Sequence, residues 1–202
     1  MAAEPNLGLR ERKKRDTRKA LSDAALELMF ERGLDNVVRE DIAERAGVSV
    51  RTFNNYFAGK YEALAYRHIE RLQRSAELLL TRPATEPLWT ALTEALVEPL
   101  RDDGAGGSPT AEMLAETRKL QAAPEMQAAA AKAVGDDLVI AVARRTGTDP
   151  ADLYPKLVAA TVNAAYLVAL DTYSRSDPPT PVTTVVRTAL AQLAEGLPEP
   201  NN

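Results

Sequence analysis

The sequence predicts an all-α protein of about nine helices. Three observations predict this class. Apolar residues recur at helical spacing almost throughout, no stretch sustains the alternation of a half-buried strand, and glycines and prolines fall at intervals suited to helices. Only the run Val182-Thr-Thr-Val-Val has strand-like composition. With 202 residues and 45% hydrophobic content the chain is long enough to bury a substantial core.

In the first helix Leu21, Ala24, Ala25, Leu28 and Met29 fall at i, i+3, i+4, i+7 and i+8, forming one buried face. Gly33 stands where a left-handed, helix-ending residue belongs. A short second helix runs to Ala46, with Ile42, Ala43 and Ala46 inward, and stops at Gly47. Ser49 caps a third helix that carries Val50, Phe53 and Phe57 inward. Ala58-Gly59 ends it, and a fourth helix spans about Tyr61 to Leu80. Pro83 and Pro87 bracket a seam between two parts of the chain. Beyond the seam, Trp89 to about Leu100 forms a helix whose end Pro99 trims or kinks, and DDGAGGSPT is a flexible loop. Pro109–Leu120, Pro124–Thr146, Asp152–Tyr173 and Pro181–Gly196 complete the set, several with proline near the first turn.

Charge divides at the same seam. Residues 1–82 carry a net of +3 and residues 83–202 a net of −7, within a total of −4. The excess is concentrated in Arg10–Lys19, where seven basic residues stand against two acidic ones. A basic head on an acidic body implies a polyanionic partner at one end. The absence of cysteine excludes thiol nucleophiles, disulfides and cysteine metal sites. A lone histidine, His68, leaves no histidine pair for a metal. Neither a metal nor a cofactor is expected. Asp136, Asp137 and Asp171 are the carboxylates an all-α enzyme would need, but no second carboxylate or nucleophile stands at a supporting spacing. The opening MAAEPNLGLRERKKRD lacks an apolar signal core, and no apolar run is expected to approach the roughly 18 residues of a membrane span. A cytoplasmic protein without membrane contact is the expectation.

The informative segment is DIAERAGVSVRTFNNYFAGK, Asp41–Lys60. One helix ends at Gly47, a tight turn follows, and a second short helix opens at Ser49, which is helix-turn-helix spacing. Val48 plugs the gap between the two helices. Anchoring by Val50, Phe53 and Phe57 leaves Arg51, Thr52, Asn54, Asn55 and Tyr56 outward. Asparagine pairs bidentately with adenine and arginine with guanine in the major groove. Tyr56 and Lys60 suit phosphate oxygens. An ordinary solvated helix face would favour Glu and Lys over these poor helix formers.

From ALELMFERGLDNV through IAERAGVSVRTFNNYF to Lys60-Tyr-Glu-Ala-Leu64, the sequence resembles the TetR family of bacterial transcriptional regulators. The match covers about residues 17–66. The resemblance implies that helices 1–3 bind DNA, helices 4–7 surround a ligand pocket, and helices 8 and 9 form a homodimer. It divides the chain into a flexible basic arm (1–16), a helix-turn-helix DNA-binding domain (17–60), and a ligand-binding and dimerisation domain (61–198). DNA contact is implied for Ser49, Arg51, Thr52, Asn54, Asn55, Tyr56 and Lys60, with Lys14 and Arg18 on the arm side. Val37 and Val38 replace the threonines common at the start of helix 2, one of which caps the helix; Arg39 is the substitute contact. Asn54 stands where tyrosine is commoner, so base preference is this chain's own.

In the body, Asp152–Tyr173 is apolar nearly all round. Its stripe Val158, Val162, Ala165 and Ala169, paired with Val186 and Leu190 of the last helix, is the expected dimer interface. The other face bears Asn163, Tyr166, Leu170 and Tyr173. With Trp89, Leu92, Met113, Leu114, Arg118 and Met126 these are the expected pocket lining, Arg118 being the candidate for an anionic head group. The segment ETRKLQAAPEMQAA resembles regulators of fatty-acid or acyl-CoA metabolism. The resulting expectation is a homodimeric repressor released from a palindromic operator by an apolar effector. A constitutive DNA-binding regulator without an effector is the alternative.

Overall fold

The computed structural model describes residues 8–132 and 136–199, which form ten α-helices, a single 3₁₀ turn and no strand among the described residues. Helices α1 (Leu9–Arg32), α2 (Arg39–Arg45) and α3 (Val50–Tyr56) make the head, with the 3₁₀ turn Leu34–Asn36 between the first two. Helix α4 (Lys60–Thr81) leads into α5 (Leu88–Asp102), α6 (Ala111–Ala122), α7 (Pro124–Lys132), α8 (Asp137–Thr146), α9 (Leu153–Ser174) and α10 (Val182–Ala194).

The head folds around the face read from sequence. Leu21, Ala24, Ala25, Leu28 and Met29 are buried with Ile42, Ala43, Phe53 and Phe57. Gly33 ends α1 at φ +83°, its N–H donating to the Met29 carbonyl at 3.0 Å. Gly47 takes φ +69° in the turn between α2 and α3, a region where a side chain is strained. The Val48 N–H closes that turn on the Ala43 carbonyl at 2.9 Å. Ser49 caps α3, its hydroxyl accepting from the Thr52 N–H at 3.1 Å.

Helix α4 belongs to both halves. Ala63 and Leu64 join the head's core, whereas Ala76 and Leu79 join a second core built with α5, α8, α9 and α10. Its flanks pack on α1, α5, α7 and α8, while α9 lies against α6, α8 and α10.

Several expectations require correction. Residues 9–16, assigned to a flexible arm, form the first two turns of α1; residues 1–7 lie outside the described residues. The segment is rich in Arg, Lys and Glu, which are good helix formers, and it simply extends the buried part of the helix. The stretch 124–146 contains two helices, α7 and α8, with residues 133–135 outside the description. Pro99 sits inside α5, which continues to Asp102. The run Val182-Thr-Thr-Val-Val is the helical start of α10, opened by Pro181. Helix α9 is long and apolar enough to cross a membrane by length and composition, because Lys156 and Asp171 are the only charged residues in its 22 positions. One side of it is packed into the protein: Val158, Val162, Tyr166 and Ala169 are buried.

Candidate DNA-binding face and effector cavity

The rim of α3 stands as the sequence suggests. Arg51, Asn54 and Asn55 are exposed, Thr52 and Tyr56 are half-buried, and Phe53 below them is fully enclosed. Phe53 and Phe57 pack with ring centroids 5.9 Å apart, and Phe57 meets Tyr66 at 5.7 Å, so the helix is anchored from beneath by an aromatic row. Thr52 is less free than its neighbours, since its hydroxyl lies 2.9 Å from that of Ser49. Lys14 is exposed on the first turns of α1. Arg18, one turn on, tucks its guanidinium over Tyr56 and Tyr66, 6.0 and 5.7 Å from their ring centroids. Val38 occupies the start of α2 with no side-chain cap, and Arg39 beside it pairs with Glu40 at 3.0 Å.

Lys60 departs from its expected role as a free phosphate contact. Its Nζ donates to the Leu34 carbonyl at 2.8 Å. The Leu34 N–H donates to Glu116 Oε2 of α6 at 2.6 Å. The backbone of one residue at the base of the head is thus gripped on both sides, from α4 and from α6. Lys119, 2.7 Å from Glu116, holds the carboxyl below its usual range, and the Leu34 hydrogen bond adds to that.

A cavity of about 430 Å³ opens between α1, α4, α6, α7 and α9. Of the expected lining, Met113, Met126, Tyr166, Leu170 and Tyr173 reach it. The other five do not. Leu92 and Leu114 are core residues, Trp89 packs half-buried on the body core, and Asn163 faces a smaller cavity of about 140 Å³ on the far side of α9. Arg118 donates to the Ser174 carbonyl and ties α6 to the end of α9, which removes it as the anion-binding candidate.

The polar end of this cavity comes from residues the sequence reading passed over. Arg67, His68 and Arg71 of α4 face Asp103, which caps the end of α5. Asp103 is only 5% exposed at its side chain; its Oδ2 accepts from Arg71 Nε at 2.6 Å and its Oδ1 from Arg74 at 3.1 Å. Burial pushes the Asp103 carboxyl up, but the hydrogen bond and charge of Arg71, with Arg67 beside it, hold it below its ordinary value. Arg67 pairs with Asp23 of α1, so the cavity wall touches the head directly. Burial lowers His68 to about 4, with Arg71's charge acting in the same direction, so the ring is neutral near pH 7. His68 lies against Tyr166, centroids 5.3 Å apart. The missed signal was Arg67, Arg71 and Arg74 at i, i+4 and i+7, a charged stripe on a helix whose neighbouring positions are buried.

The expected dimer stripe is also misplaced. Val158, Val162, Ala169, Val186 and Leu190 are buried in the protein's own core, and Ala165 packs half-buried against it. Helix α9 is apolar on both sides, so periodicity alone did not say which side faces outward. The outward side carries Leu153, Leu157, Leu167 and Val168, exposed at 78%, 57%, 44% and 64%.

Comparison with known proteins places these features. Residues 21–65 match the family model for bacterial regulatory proteins of the TetR family, and residues 86–198 match that of the MftR C-terminal domain. The HTH-type transcriptional regulator TcmR of Streptomyces glaucescens is 31% identical over 179 residues, covering 84% of this chain and 79% of that protein. Among solved structures, FadR of Thermus thermophilus, a repressor crystallised with lauroyl-CoA, aligns with a TM-score of 0.56 at 21% identity, covering 92% of this chain and 97% of its own. SmeT, the repressor of a Stenotrophomonas maltophilia multidrug efflux pump, aligns at 0.54 with 20% identity and the same coverages.

Proposed function

Because the chain belongs to the TetR family, whose members are DNA-binding transcriptional regulators and not enzymes, we propose that it is a homodimeric repressor released from a palindromic operator by a small amphipathic effector. The observation that carries this reading is the exposed polar rim of α3, with Arg51, Asn54 and Asn55 held outward over a buried aromatic anchor. In this reading residues 17–60 bind DNA in the cytoplasm and residues 61–198 bind effector and partner. Arg51, Asn54 and Asn55 read base edges, while Ser49, Thr52, Tyr56, Arg39, Lys14 and Arg18 position the head on the backbone. Lys60 contributes through its grip on Leu34.

Two copies must reach successive major grooves about 34–36 Å apart, which requires a dimer. The exposed apolar side of α9, Leu153, Leu157 and Val168, is the face we assign to it, since contiguous exposed apolar surface marks an interaction site. The cavity is the effector site. Support comes from its size and apolar walls, and from relatives of the same fold that bind such molecules: Thermus thermophilus FadR with lauroyl-CoA and SmeT with triclosan. An effector that prefers a dimer with the wrong head spacing weakens operator binding by its differential affinity.

Selection of bound fragments from the protein's own genome at low ionic strength tests the reading. The expected outcome is enrichment of fragments sharing an inverted repeat with half-sites one helical turn apart. Retention of no fragment overturns it.

A further inference from the structure

Of the guanidiniums in the cavity wall, that of Arg71 hydrogen-bonds only through Nε, so among the described residues its two terminal nitrogens have no partner. A donor drawn largely out of water without a partner is costly, and the wall around it offers no relief. Asp103 already accepts from Arg71 on one oxygen and Arg74 on the other. His68 is neutral near pH 7 and carries no charge to either side. The Arg71 guanidinium faces Tyr166 and Tyr173, both lining the same space. Three guanidiniums, of Arg67, Arg71 and Arg74, therefore gather on one nearly enclosed carboxylate at one end of the cavity, and burial together with the charge of Arg71 lowers the Arg67 pKa. The remaining walls, Met29, Leu64, Leu100, Met113 and Leu170 among them, are apolar. Asp171, the other carboxylate of the lining, pairs with Arg175, so it does not serve the Arg71 donors.

We propose that the effector is an amphipathic monoanion, an apolar body bearing one acidic group, and that the acidic group docks between Arg67 and Arg71. This rests on the reading of the cavity as the effector site and names the chemistry it selects. A carboxylate or sulfonate supplies the acceptor that the Arg71 terminal nitrogens lack and joins Asp103 in neutralising the pair. A neutral amphiphile of the same shape leaves those donors unpaired. A cation meets two like charges. The consequence for regulation lies in the other partner of Arg67: an anion competing for its guanidinium weakens the Asp23 pair that joins the cavity to α1.

The test uses two fluorescent probes with the same apolar body, 8-anilinonaphthalene-1-sulfonate and uncharged N-phenyl-1-naphthylamine, titrated into the whole protein. The expected result is that the sulfonate binds about ten-fold or more tightly than the neutral probe. Arg71→Gln should erase that preference, and continued binding of the neutral probe to the variant reports that a cavity remains. Arg71→Lys, which keeps the charge, should retain part of it. Equal affinities in the unaltered protein, or a preference that survives Arg71→Gln, overturn the proposal while the cavity reading stands. If neither probe binds, the cavity does not receive ligands, and both fall together. Should Arg71→Gln fail to fold by circular dichroism, Arg67→Gln serves in its place with the same expected loss.

Discussion

Asn55 and His68 show how differently two single residues are tied to function. Asn55 is exposed on the rim of α3, supported by Phe53 and Phe57 but constrained by little else. Asn55→Ala should therefore cost about 1–3 kcal/mol on the selected operator and almost nothing on random DNA, measured by parallel binding titrations. An equal loss on both sequences assigns Asn55 to backbone contact. His68 is enclosed, neutral and held to about 4, against about 6.5 in an unfolded chain. The unfolded chain binds the extra proton first, so stability declines as pH falls from about 6.5 towards 4, by about 3 kcal/mol at most. Melting curves at pH 7 and pH 5 should show this decline, and His68→Gln should flatten it over that interval, where carboxylates have barely begun to protonate. An unaltered slope in the variant would assign the decline elsewhere. At this scale the sequence was half legible. The outward residues of α3 could be read because their inward partners are aromatic and unmistakable, whereas Arg67, Arg71 and Asp103 resembled ordinary solvated charges. Only the packing of α5 against α4 turns them inward.

Helices themselves were easier to read than their faces. Gly33, Gly47, Ser49 and the prolines before α7 and α10 mark boundaries through backbone chemistry that acts locally, so their positions agree with the observed elements. Helix α9 illustrates the limit of periodicity. Its sides are similarly apolar, and the stripe of small residues belongs to the packing of α9 on α10, not to a second protomer. The exposed side makes a distinct prediction. Val168→Glu should convert the proposed dimer to monomers by light scattering and reduce operator affinity by more than ten-fold, since each monomer would retain only one half-site contact. Val162→Glu, placed in the core, should lower the melting temperature instead. A dimer that tolerates Val168→Glu moves the interface to another face.

For the molecule as a whole, the decisive feature is that head and body are not joined by a loose linker. Leu64 and Leu120 bring α4 and α6 into the head's core, and the Leu34 backbone is held by Glu116 and Lys60 at once. Glu116→Ala should leave the Leu34 N–H without its partner, destabilise the protein by about 1–3 kcal/mol, and loosen the seating of the head. Operator titrations should then show weaker binding although no DNA-facing residue has changed. An unchanged operator affinity would reduce Glu116 to a structural tie. None of this clasp was visible in sequence, because 82 positions separate Leu34 from Glu116 and nothing local marks either.

Helix α1 adds a mechanical property. It is a continuous rod of 24 residues, braced at Asp23 by Arg67 and exposed along its basic first turns. From Asp23 to Leu9 the rod extends about 21 Å, so a tilt of about ten degrees at the brace sweeps Leu9 through about 4 Å and Lys14, about 14 Å from the pivot, through about 2 Å. The phosphate contact proposed for Lys14 would lengthen accordingly. A small shift at the pivot is thereby multiplied at the far end of a lever.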